Sequence, residues 1–227
     1  MNNEKDSSWD PVWEEVFRKS EWGKYPGESL IQFVARNFYK RNRTEIKLLE
    51  VGCGTGPNVW YMSREGFNVT GIDGSLTAIN KGKERLEIEN LNANLVVGDI
   101  IDLPFDDQVF DGVIDVECLY SNNSVNTERI LKGIKRVLKP GGLFYSRTFS
   151  EKMVTGQNPE KISLYEYKSV TEGPQAGHGF MRLINRGGIY NLYGKYFNII
   201  SLDKLEYSTN NEKILISEWI IICGKNE

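Results

Sequence analysis

Leu48-Leu49-Glu50-Val51-Gly52-Cys53-Gly54-Thr55-Gly56 is the stretch that decides the fold. The apolar run over residues 46–51 reads as a buried strand, residues 52–56 as a glycine turn, and Pro57 opens a helix. Glycines let a backbone take positive φ and approach a ligand closely. The same rhythm continues downstream. Residues 67–72 form a second strand ending at Asp73, and Ser75 caps a helix reaching about Glu89. A third strand, 93–97, ends at Gly98-Asp99. A fourth covers 110–116, a helix lies near 125–138, and Pro140-Gly141-Gly142 turns into a fifth strand over 143–148. Strands alternating with helices at this spacing predict a parallel sheet covered on both faces. The last two apolar runs, 197–207 and 214–223, are separated only by a short polar stretch and cannot hold a crossover helix. They predict an antiparallel hairpin. The expected fold is therefore α/β and doubly wound, with five parallel strands and a C-terminal hairpin in one seven-stranded sheet.

With 227 residues the chain is expected to be a single domain over 1–227. Residues 1–45 form a helical extension. Asp10-Pro11 starts a helix with Trp13, Val16 and Phe17 on one face, and residues 22–27 break it. Leu30, Phe33, Val34, Asn37 and Phe38 carry a second helix. Residues 150–190 form a Gly- and Pro-containing insertion long enough to act as a lid.

Hydrophobic residues make up 40% of the chain and charged residues 26%, which suits a globular domain with a real core. The net charge of −3 disfavours nucleic acid or an anionic membrane as the main partner. No apolar run approaches the roughly 18 residues of a membrane helix. Residues 1–10 are too polar for a secretory leader. Three widely spaced cysteines fit reduced thiols in the cytoplasm, and a lone histidine rules out a multi-histidine metal site. No metal is expected.

In an open parallel sheet the ligand binds at the carboxyl ends of the strands, where the glycine turn lies. Asp73, seventeen residues after Gly56, is placed to accept hydrogen bonds from ribose hydroxyls. Asp99 either accepts from an adenine amine or caps a turn. A nicotinamide dinucleotide is the rival cofactor, but its G-x-G-x-x-G/A fingerprint fails at Pro57.

Five ordered motifs together resemble the class I S-adenosylmethionine-dependent methyltransferases: Glu50 to Gly56, Asp73, G-D with L-P-F (Gly98 to Phe105), F-D-G-V-I (Phe110 to Ile114) and L-K-P-G-G (Leu138 to Gly142). The resemblance covers about residues 46–149 and implies a Rossmann-like methyltransferase fold with S-adenosylmethionine as cofactor. It implies that Gly52, Gly54 and the backbone at Cys53 line the methionine part, with Glu50 orienting the ammonium group. Asp73 would hold the ribose beside Gly74 and Ser75, and Asp99 and Ile100 would frame the adenine. Asp115 and Val116 would contribute backbone near the sulfonium. Residues 22–26 and 173–179 are similar to segments of members encoded with sugar and surface-polysaccharide genes. That likeness points to a small-molecule acceptor, sugar or sugar-linked, methylated on oxygen or nitrogen.

Many relatives carry a histidine after the fourth strand, where this chain reads Glu117-Cys118-Leu119-Tyr120. Glu117 and Tyr120 are the polar candidates facing the acceptor, with surface capping and pocket wall as their plainer roles. His178, the one imidazole, lies in the lid-like insertion and is a candidate to touch the acceptor, with a bystander as its plainer role. Arg182 and Arg186 are candidates to clamp an anionic group. Tyr25 sits on an irregular turn, either over the cofactor mouth or stapling the extension to the sheet. The absence of an obvious base leaves a non-catalytic cofactor-binding protein as a further alternative.

Overall fold

The structure, a computed structural model, describes residues 7–226; residues 1–6 and 227 lie outside the described residues, including the start of the expected extension. Along the chain come α1 (Val12–Lys19), α2 (Glu28–Phe38), β1 (Lys47–Val51), α3 (Pro57–Arg64), β2 (Asn68–Asp73) and α4 (Leu76–Ile88). There follow β3 (Asn94–Val97), β4 (Phe110–Val116), α5 (Ser124–Val137) and β5 (Leu138–Phe149). The chain ends with β6 (Glu160–Ser163), β7 (Glu166–Lys168), β8 (Met181–Arg182), α6 (Arg186–Leu192), β9 (Asn198–Thr209) and β10 (Ile214–Gly224).

The main sheet has seven strands in the order β3-β2-β1-β4-β5-β10-β9. β1 to β5 run parallel, and β10 lies antiparallel between β5 and β9. The doubly wound sheet closed by a hairpin is thus the fold expected from the alternating pattern.

Successive side chains on a strand face opposite sides, so each apolar doublet feeds two cores. Leu49, Val113 and Phe144 pack on one face with Ile130 and Ile134 of α5 and Ile189 of α6. Their neighbours Leu48, Ile114 and Tyr145 pack on the other face with Phe33 and Phe38 of α2 and Val59 and Trp60 of α3. A third cluster joins the insertion to the sheet through Tyr120, Phe149, Met153, Met181 and Ile216. The insertion itself carries the small antiparallel sheet β6-β7-β8.

Two boundaries differ from expectation. α1 runs from Val12, one residue after the expected start at Pro11, which itself has helical backbone angles, and the Asp10 carboxylate accepts from Val12 N at 3.0 Å as an N-cap would. Residues 140–142 are not a separate turn. They form an irregular stretch inside β5, with Gly141 at φ +70 and a register shift opposite Phe110 and Gly112. Among the described residues no helix is long and apolar enough to cross a membrane.

Gly112 shows how closely α2 sits on β4. A Cβ there would lie 2.9 Å from Leu48 Cδ2 and 3.0 Å from Phe38 Cζ. Gly112→Val should therefore lower unfolding stability by roughly 1–3 kcal/mol through overpacking. Urea denaturation checks this, and an unchanged midpoint would mean that α2 does not hold that contact in solution.

Candidate active site

The carboxyl ends of β1 and β4 are pressed together. Gly52 sits at φ +66, and a Cβ on it would lie 2.1 Å from Cys118 Sγ. Only glycine meets both demands. Beside this contact opens a cleft of about 1180 Å³, its open mouth included. Glu50 and the turn residues Gly52, Cys53 and Gly54 form its floor, with Asp73, Gly74, Asp99 and Ile100 along one side. Val116, Glu117 and Tyr120 stand on the other, and Tyr25 stands at the mouth, 74% exposed and edge-on to Trp60.

Glu50 ends β1 under the turn. Asn58 Nδ2 donates to its Oε1 at 2.6 Å, while Oε2 is buried with no partner among the described residues. Burial pushes this carboxyl up to about 8, against the pull of the Asn58 hydrogen bond. A cationic donor arriving at Oε2 would satisfy the oxygen and restore the charge.

Asp73 is held by backbone. Gly54 N donates to Oδ2 and Ser75 N to Oδ1, both at 2.8 Å. Each oxygen keeps a lone pair for a ligand hydroxyl. Ser75 is wholly buried and does not line the cleft. Its hydroxyl accepts from Ala78 N to cap α4 and donates to Glu14 of α1. Gly74 is covered by the Trp9 indole, which a Cβ would meet at 2.3 Å.

Asp99 combines both of its expected roles in an unexpected way. Oδ1 accepts from Ile101 N at 3.1 Å, a local cap. The rest of the carboxylate is taken by the N-terminal segment: Ser7 Oγ and Ser8 N donate to Oδ2 at 2.7 Å, Trp9 N at 3.2 Å, and Ser8 Oγ donates to Oδ1. These hydrogen bonds hold the carboxyl below its ordinary range despite partial burial. Sequence reading missed Ser8 and Trp9 because nothing in a polar terminus marks a strap across a distant strand end.

At the far end, Glu117 follows β4 at φ +55, a costly backbone for a non-glycine residue. Arg147, on β5, lies 3.3 Å from Glu117 Oε1 and donates to the buried Glu218 through Nε at 2.9 Å and Nη2 at 2.5 Å. Burial among these groups raises Glu117 well above the usual carboxylate range, with Arg147 opposing the shift. Arg147 was missed although a charge inside an apolar strand was a readable signal. Tyr120 donates to Gln175 Oε1 at 2.6 Å, and its ring packs on Phe149 at 4.6 Å between centroids.

Other placements depart from the sequence reading. Asp115, expected to lend only its backbone, lies outside the cleft lining, and its buried carboxylate accepts from Cys118 N, Leu119 N and Ser146 Oγ, bracing the turn after β4. Burial raises it to about 6. His178 stacks at a tilt on Trp13, 5.5 Å between centroids, outside the cleft lining, with Nδ1 buried and unpartnered. Arg182 does not clamp an anion. It is 4% exposed and donates to Asn122 O, Leu119 O and Thr127 Oγ1, tying the same turn to β8. Arg186 lies over the Trp219 ring.

A glycine turn, a strand-end Asp and a carboxyl with one unpartnered oxygen line one cleft at the carboxyl ends of the strands of a doubly wound sheet. Comparison with known proteins agrees. The family described as "Methyltransferase domain" matches residues 48–142. The phthiotriol/phenolphthiotriol dimycocerosates methyltransferase of Mycobacterium tuberculosis is 37% identical over 115 residues, 48% of this chain and 41% of that protein. The demethylmenaquinone methyltransferase of Tropheryma whipplei is 38% identical over 105 residues, 46% of this chain and 42% of that protein. The matched part thus spans well under half the length of these curated relatives. A Methanosarcina mazei protein described as a SAM-dependent methyltransferase shares the fold at a TM-score of 0.71 and 21% identity, covering 89% of this chain and 99% of its own. Over residues 48–142 the chain is thus similar to class I S-adenosylmethionine-dependent methyltransferases, in line with the resemblance read from the sequence.

The residues present fit that family's cofactor at two points. Glu50 Oε2 suits the ammonium group, and Asp73 suits a ribose diol. Asp99 differs, being committed to the strap.

The Glu50 shift has a stability consequence. Its folded pKa of about 8 exceeds the ordinary 4.5, so the folded state holds the extra proton between those values. Its contribution is intact below pH 4.5 and is lost as pH rises toward 8, at about 1.4 kcal/mol per unit. Ligand-free Glu50→Gln should therefore melt a few degrees above the parent at pH 8 and level with it near pH 4.5. Equal melting temperatures at both pH values would show that the buried carboxylate costs nothing.

Proposed function

We propose that this protein transfers a methyl group from S-adenosylmethionine to an oxygen or nitrogen of a small molecule. One observation carries the reading: an unpartnered buried carboxylate oxygen of Glu50 shares a single cleft with the strained, raised-pKa Glu117. The first suits cofactor binding and the second suits acceptor chemistry.

When bound, the cofactor supplies an electrophilic methyl whose bond to sulfur breaks, its electron pair staying on sulfur, as the acceptor's lone pair forms the new bond. The protein's work is then mostly positioning, since holding reactants in near-attack geometry supplies a large part of such a barrier. Glu50 and Asp73 hold one partner. Glu117 Oε1 takes the acceptor's proton as the new bond forms, and Arg147 fixes the direction of that carboxylate. Tyr120, tied to Gln175 of the insertion, walls the acceptor side. The insertion over residues 150–190 acts as the lid that excludes water, with His178 joining it to α1 through Trp13. The sugar-linked acceptor implied by the flanking segments finds no support among the relatives above, so the acceptor class is small molecule without that narrowing.

Titration calorimetry should give binding of S-adenosylmethionine and S-adenosylhomocysteine and none of NAD(P). Asp73→Ala should weaken the first two at least tenfold with the fold intact by circular dichroism. Binding of NAD(P) alone, or unchanged affinity in the variant, would defeat the reading.

For turnover, Glu117→Gln should cut kcat about 10²–10⁴-fold, the usual span for a general base. The parent's rate should rise with pH to a break above the ordinary carboxylate range, and the variant should lose that break. A profile unaltered by the substitution would remove Glu117 from the chemistry.

A further inference from the structure

The charge of the cleft carries information about the acceptor, resting on the reading of the site as one for methyl transfer. Arg147 is the one cation among the described residues lining the cleft, against carboxyls at Asp10, Glu50, Asp73, Asp99 and Glu117. Its charge is already offset. Glu218, 1% exposed, takes both Nε and Nη2, and Glu117 stands 3.3 Å away on the cleft side. An incoming carboxylate or phosphate would meet the guanidinium only with Glu117 beside it. It would also have to lose its water without gaining a free cation.

The unmet demand in the wall has the opposite sense. Asn122 is 4% exposed, lines the cleft, and leaves Oδ1 buried without a partner. Such an acceptor costs free energy until a donor arrives. Asn122 follows Glu117 on the same short segment after β4, and Arg182 holds its backbone carbonyl at 3.0 Å. The backbone that carries the amide is therefore held in place.

The mouth is aromatic. Trp13 meets Trp22 edge-on at 6.2 Å, and Phe17 meets Trp22 at 5.4 Å. Trp22 and Tyr25 remain exposed there at 39% and 74%. Apolar faces of this size left open at a cleft mouth mark a surface for flat apolar ligands. Their π faces also attract cations.

We propose that the acceptor is a neutral or cationic molecule with a flat apolar body that presents a hydroxyl or amine to Glu117 and Asn122, and that acceptors carrying a carboxylate or phosphate are refused.

Three indole probes of matched shape test this by calorimetry on protein saturated with S-adenosylhomocysteine: tryptamine, tryptophol and indole-3-acetate. Tryptamine and tryptophol should bind, with indole-3-acetate at least tenfold weaker. Glu117→Gln, shown folded by retained S-adenosylhomocysteine affinity, should reverse the order by weakening tryptamine and strengthening indole-3-acetate, because Arg147 then has one fewer carboxylate beside it. Indole-3-acetate binding as tightly as tryptophol would overturn the proposal. So would an order indifferent to Glu117, or the failure of all three probes on protein that does bind S-adenosylhomocysteine. Failure of S-adenosylhomocysteine itself would instead strike the methyl-transfer reading, and the probe order measured on ligand-free protein would still judge the charge preference.

Discussion

The contact between Gly52 and the Cys118 side chain is the constraint on which the cleft depends. The space a Cβ would fill at Gly52 is already occupied by the Cys118 sulfur. Strands β1 and β4 are neighbours in register, Val51 beside Asp115, so their ends leave the sheet together. Asp115 then turns the chain after β4 by accepting from Cys118 N and Leu119 N, and Ser146 of β5 braces the same carboxylate. A bulkier residue at position 52 would push these ends apart. Glu50 and Glu117 would then no longer face one cavity. The glycine serves less as a hinge than as a vacancy that lets two loops share a wall.

That wall is unusually rich in carboxylates for its size, and the fold manages them in different ways. Asp73 is steadied by two backbone N–H groups and Asp99 by a strap of serines. Burial raises Asp73 as well, but both of its oxygens accept backbone N–H groups, whereas Glu50 and Glu117 are raised and incompletely compensated. Buried groups left in that condition lower stability and are retained where a ligand completes them. The contrast separates carboxylates that hold the scaffold from those that wait for a partner. It does so on hydrogen bonds and not on position in the chain.

The fold was legible in the sequence because β1, β2 and β3 are short apolar runs that end in Asp or run into Gly, and because no helix fits between residues 209 and 214. The cofactor end was legible for a related reason: a backbone turn needs glycines, and glycines can be read. Arg147, Asn122 and Trp9 were harder. Their roles come from strands and termini that meet only in three dimensions. Arg147 gains meaning from Glu218, seventy-one residues away. Arg182 looked like an anion clamp beside Arg186, yet its guanidinium is spent on backbone carbonyls of the turn after β4. An arginine's destination depends on which carbonyls packing leaves without partners, and local sequence does not encode that.

The strap gives the N-terminal extension a physical reason to be where it is. α1 is pinned to α4 at both ends, by Glu14 on Ser75 and Thr77 and by Lys81 Nζ on Phe17 O at 2.5 Å. The segment before it is thereby delivered to the end of β3, where Ser7, Ser8 and Trp9 satisfy Asp99 and the Trp9 indole lies on Gly74. Were Asp99 free, it would be a half-buried anion without donors at the end of β3. Saturating it with neutral donors keeps that end of the cleft charged but quiet. The electrostatic demand then concentrates at Glu50 and Glu117, the two groups whose oxygens face the space between the halves of the cleft.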